Sequence, residues 1–203
     1  MAIQLGNLPS TQSALVDDQG RATTVLQQFF AAIKRGFAAV PAGGATKVLI
    51  PLFAHYTTSG TSSVAETDLY SDTLAAGQLA ANGDTIYVDF TTQYPGGGAS
   101  TKRVRLYFGG TAIYDSTGVA SPGNSTLTGR ATIVREDAST VRCSVQIVVS
   151  AAGYSTSTVA SYTRITGLTL SNTQIVKLTG QSSVVTANDI TAVSEVVSYL
   201  PAP

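Results

Sequence analysis

Tryptophan is absent from this chain, cysteine, histidine and methionine occur once each, and only 12% of its residues are charged. Each shortage excludes something. A lone Cys143 cannot form an internal bridge, so the fold needs no oxidising compartment. One cysteine and one histidine are too few soft ligands for a tetrahedral zinc site. Lys and Arg number 12 against 12 Asp and Glu, and this zero net charge removes the general attraction that a basic surface has for nucleic acid or an anionic membrane. No stretch approaches the roughly 18 apolar residues of a membrane span, and residues 1–20 lack the basic start and apolar run of a secretion signal. Nucleic acid and membrane insertion are therefore not expected. What remains is Ser, Thr, Gly, Ala and Val, with Val, Ile, Leu, Tyr and Phe to fill a core, which are mostly strand formers. A length of 203 residues suits one sandwich, or a small module joined to one. So weakly charged a surface offers little colloidal repulsion, which fits a permanent assembly better than a free enzyme.

Residues 1–20 show neither the helical nor the strand period and read as an extended arm, which gains order by lying on something else. Over residues 21–40 apolar side chains recur at helical spacing: Val25, Phe29, Ala32, Ile33, Phe37 and Val40, widened by Leu26 and Phe30. Thr23 or Thr24 can cap this helix and "PAGG" from Pro41 ends it, giving a rod of about 28 Å. Its Phe-rich face must be buried. Two burials are open to it: against its own β domain, or against copies of itself or a larger scaffold. We take residues 1–44 as an arm and helix for attachment and oligomerisation, and 45–203 as a β domain.

Beyond Gly44 the period is two. "TKVLIPLFAHY" is the first strand candidate, and the Asn82-Gly83-Asp84 turn leads into the alternation of Ile86, Val88 and Phe90. "YPGGGAS" at residues 94–100 reads as an exposed loop. "TKRVRLYFGGTAIYDS" is the clearest local signal, two alternating runs joined by Gly109-Gly110, a pair suited to positive φ at both turn positions. "VASPGNSTLTG" reads as a loop, followed by a second hairpin around residues 136–140. Strand candidates over residues 159–170, 173–178 and 190–200 close the chain. Eight to ten such strands fit an antiparallel two-sheet sandwich of jelly-roll type and exclude a parallel α/β fold.

No catalytic signature emerges. His55, in "LFAHY", reads as a satisfied core or edge histidine, and no serine sits in a nucleophile elbow. The carboxylate clusters Asp17-Asp18, Glu66/Asp68/Asp72 and Glu136-Asp137 lack both a calcium-loop pattern and any spacing that shows a sugar cleft. "PGGGAS" has no following Lys-Ser/Thr or helix, which rejects a phosphate loop. Arg103 and Arg105 share one face of their strand; with Lys102 they read as a wet face, or as a clamp for a sugar acid or an acidic neighbour. Tyr94 and Tyr154, placed in loops, are candidates for stacking on sugar rings.

Two stretches resemble virion proteins of tailed phages. "LVDDQGRATTVLQQFFAAI", residues 15–33, is similar to the opening of many of them, in which D-x-x-G-x-x-T leads into a helix containing "FF" that attaches the protein to the particle. Residues 79–147, with "LAANGDTIYVDF", "KRVRLYFGGTAIYDS", "RATIVRED" and "VRCSVQI", resemble the β-sandwich of tail-fibre, tail-tip and head-decoration proteins. One departure is Val25-Leu26, where the family often has Trp before "FF". The resemblance implies a non-enzymatic, cofactor-free structural subunit located in the virion. It further implies a homotrimer whose helix (Val25, Leu26, Phe29, Phe30, Ile33, Phe37) binds itself or other virion proteins while the sandwich projects outward. A capsid-decoration protein and an adhesin for a host surface glycan are the alternatives.

Overall fold

The computed structural model describes residues 47–61, 63–95, 100–117, 119–120, 124–151 and 154–203, within a compact unit spanning Lys47–Pro203. The arm and the helix expected over residues 1–44 lie outside the described residues. Strands follow in the order β1 (Ile50–His55), β2 (Ser59–Thr61), β3 (Thr67–Leu74), β4 (Thr85–Tyr94), β5 (Thr101–Phe108) and β6 (Thr111–Asp115). They continue with β7 (Val119–Ala120), β8 (Ser125–Arg135), β9 (Val141–Ala151), β10 (Tyr154–Ile165), β11 (Gln174–Ser182) and β12 (Ile190–Leu200).

Among the described residues these strands build two antiparallel sheets. The seven-stranded sheet runs β1-β12-β4-β8-β9-β10 with β2 on β12, and the five-stranded sheet runs β3-β11-β5-β6 with β7 on β5. Winding β1, β3, β4, β5, β6, β8, β11 and β12 in chain order, the pairs β1–β12, β3–β11, β4–β8 and β5–β6 nest inside one another and alternate between sheets. That nesting is the jelly roll expected from the sequence, with β9 and β10 added as a meander on the edge of the larger sheet.

Alternation decides what is buried. Ile86, Val88 and Phe90 of β4 share one core with Ala131 and Ile133 of β8, and with Leu106 and Phe108 of β5 and Leu178 of β11 from the other sheet. Each large apolar side chain enclosed in this way contributes about 1.5–3 kcal/mol. Cys143 faces this core on β9, where burial pushes its thiol up to about 12 and leaves it inert. Gly109 and Gly110 adopt φ of 54° and 82°, as the hairpin between β5 and β6 requires. Asp84 is 2% exposed and ties the turn before β4 to the chain end, accepting hydrogen bonds from the Ala81 and Ala202 amides and the Tyr199 hydroxyl.

Three local expectations change. Tyr94 is not in a loop: it ends β4 and is 3% exposed, because the inward alternation of Ile86, Val88 and Phe90 continues to it. β8 begins at Ser125 rather than Arg130, since Ser125, Leu127 and Gly129 keep the buried parity through residues whose composition reads as loop. The strand expected over residues 159–170 is β10 at Tyr154–Ile165, so Tyr154 also lies in a strand.

Gly129 faces Phe90 and Ile147 so closely that an added Cβ would lie 2.3 Å from the Phe90 ring. Phe90 is fully buried and cannot swing away. Gly129→Ala is expected to cost about 1–3 kcal/mol in urea denaturation, and an unchanged midpoint would show that the ring has room to move.

Candidate functional site

Polar side chains gather in three places. The first is the outer face of the five-stranded sheet, where period two sets Arg103, Arg105 and Tyr107 of β5 beside Lys177 and Thr179 of β11. Arg103 donates from Nε to Asp115 Oδ1 at 2.7 Å and also from its terminal nitrogen to Oδ2; Arg105 donates to Asp115 Oδ2 at 3.1 Å and to Glu66. Glu66 further accepts from Tyr107 Oη at 2.8 Å and Thr179 Oγ1 at 2.6 Å. The Arg103 hydrogen bonds hold Asp115 far below the usual carboxylate range. Burial opposes ionisation of Glu66, but Thr179, Tyr107 and Arg105 outweigh it and its pKa is lowered. The two arginines named from the sequence do lie together, and both are committed to carboxylates, so an anionic ligand would have to displace Asp115 and Glu66.

Lys102, grouped with those arginines in sequence, has the opposite parity and points into the core at 1% exposure. Its Nζ lies 3.0 Å from Asp189 Oδ1 and 6.0 Å from the centre of the Tyr94 ring. Asp189 Oδ2 accepts from Ser100 and Ser182. The pair joins β5 to the turn before β12, a use of buried charge that is structural.

The third cluster was not found from the sequence. His55 ends β1 opposite Glu195 of β12, and Asp72 projects from β3 of the other sheet. His55 Nε2 lies 2.8 Å and 3.0 Å from the two oxygens of Asp72. The imidazole stacks on Tyr70 at 4.7 Å between centroids and 11° between planes, and Tyr70 Oη is anchored on the Thr57 carbonyl at 2.6 Å. Glu195 is 0% exposed, and neither of its carboxylate oxygens has a hydrogen-bond partner among the described residues. One ligand atom from each of His55, Asp72 and Glu195 lies within 4.8 Å of the others. Asp72 is readable in hindsight, because it shares the parity of Tyr70 and Leu74. Glu195 is hidden by the bulge between Ala192 and Ser194, which moves the buried parity from Ile190 and Ala192 to Glu195 and Val197.

No protein-family model and no curated protein matches this chain. A solved structure, the CBM2 module of the evolved Dit of Lactobacillus casei BL23 phage J-1, aligns with 66% of this chain and 69% of its own at 9% identity, with a TM-score of 0.28. A likeness that slight carries no argument about fold or role.

The remaining site residues named from the sequence do not join these clusters. Tyr94 is enclosed beneath the sheets' inner faces, and of Tyr154 the described feature is its backbone in β10. Val25, Leu26, Phe29, Phe30, Ile33 and Phe37 lie outside the described residues.

Glu195 gives a pH signature. Burial first, and then the negative charge of Asp72, push its pKa up to about 8 from 4.5, so the folded chain keeps a proton that the unfolded chain releases across that window. Stability contributed by this proton is present below the unfolded value and lost as pH rises through the folded one. In metal-free buffer the advantage of Glu195→Gln over the parent in thermal midpoint is expected to grow between about pH 5 and about pH 8.5. A difference that stays constant with pH would mean Glu195 ionises normally.

Proposed function

We propose that the chain is a non-enzymatic structural component of a tailed-phage virion, tail-associated, assembling through its N-terminal segment and exposing the sandwich. The observation that carries this reading is the apolar edge of the larger sheet. Val48, Leu49 and Ile50 are 64%, 49% and 43% exposed, with Tyr56 at 75% just beyond β1. An edge strand with so little charge invites pairing or packing with another chain, and a permanent neighbour is one way proteins manage such an edge. It also lies downstream of residues 15–33, whose "FF" stretch resembles a phage attachment element.

The ion pairs of the outer face agree with this reading, because Arg103 and Arg105 serve to hold Asp115 and Glu66 rather than to wait for a substrate. The adhesin reading loses Tyr94, which is buried. Light scattering of the full chain at several concentrations tests self-association: a mass of three 20.9 kDa copies is expected, falling toward one copy in Leu49→Lys/Ile50→Lys. A single-copy mass at every concentration would overturn assembly through its own copies.

A further inference from the structure

We propose that His55, Asp72 and Glu195 form a binding site for a borderline divalent cation such as Zn2+. The cluster offers an imidazole nitrogen and two carboxylates, a donor set suited to zinc and its first-row neighbours rather than to the all-oxygen shells of calcium. Its members come from three strands and both sheets, with the donor atoms within 4.8 Å of one another, so the fold and not a local loop brings them together.

Glu195 is the observation that points to a ligand. A carboxyl group wholly withdrawn from water, without a hydrogen-bond partner on either oxygen among the described residues and beside a second carboxylate, is a costly arrangement for a core to hold. Another inward-facing charged residue, Lys102, shows how this fold treats such a group when protein atoms suffice: Asp189 meets it at 3.0 Å. Glu195 has no lysine or arginine in an ion pair of that kind among the described residues, and a cation would serve both carboxylates at once. His55 is the way in, because its side chain is 36% exposed while Asp72 is 6% exposed. Nε2 then exchanges its contact with Asp72 for the cation, the imidazole proton residing on Nδ1, and the stack on Tyr70 fixes the ring plane. Two carboxylates and a neutral imidazole leave room for water to complete the shell.

The bound cation would clamp β1, the strand that follows residues 1–46, to β12 of its own sheet and to β3 of the facing one.

The test uses tag-free full-length protein stripped with a chelator and titrated with Zn2+, and separately with Ca2+, by calorimetry and thermal unfolding. Binding of one Zn2+ per chain, a raised midpoint and slower amide exchange in β1 are expected, with affinity lowered more than about tenfold in Glu195→Gln. His55→Ala, at a half-exposed edge position, keeps the test decisive if the core variant does not fold. No binding, or Zn2+ binding of equal affinity in both variants, would overturn the site, and a Ca2+ response equal to that of Zn2+ would overturn the role of the imidazole.

Discussion

The last strand closes the sandwich, and most of the described fold depends on that closure. β12 carries the hydrogen bonds of β1, β2 and β4, so without residues 190–200 the larger sheet would lose its first two strands and the inner edge of β4. β11, just before it, does the same for β3 and β5. The final two strands are therefore interior strands, one in each sheet, and a core shared between the sheets can form only after loops of more than a hundred residues have closed. Such long-range pairing is entropically slow but gives a jelly roll few free edges.

Closing the sandwich this way also dictates where charge is tolerated. Burying both inner faces sets a strict parity, and Asp72, Lys102 and Glu195 fall on the inward side of it. Lys102 is paired with Asp189, itself held by Ser100 and Ser182; Asp72 has His55; the Glu195 oxygens have no hydrogen-bond partner among the described residues. Elsewhere Arg103 and Arg105 meet Asp115 and Glu66 in half-buried pairs, while Arg130, Arg142 and Arg164 meet Asp89 and Glu136 in more exposed pairs that contribute little each. A chain with so few charges spends a notable share of them inside.

Much of the β architecture was legible in the sequence because period two, glycine pairs and Asn-Gly turns are local signals. The β5–β6 hairpin was read from Gly109-Gly110, and both glycines adopt the required φ. What failed was whatever depended on a distant partner. Tyr94 looked like a loop residue because "PGGG" follows it, although its parity with Phe90 carried it inward. Lys102 looked like one of three surface cations until alternation was applied to it as strictly as to Val104. The His55 cluster was illegible because a bulge at Val193 broke the alternation that would have marked Glu195 as buried, and because its three members lie far apart in the sequence.

The proposed virion role rests on an apolar first edge, on outer-face arginines held by carboxylates and on a sequence opening similar to phage attachment segments. The most direct measurement is peptide mass spectrometry of density-purified particles released from cells whose phage genome encodes this chain, with labelled standards for copy number. Multiple copies per particle, retained after high-salt washing, is the expected result. Its absence from intact particles while it accumulates in the lysate would contradict a structural role in the virion.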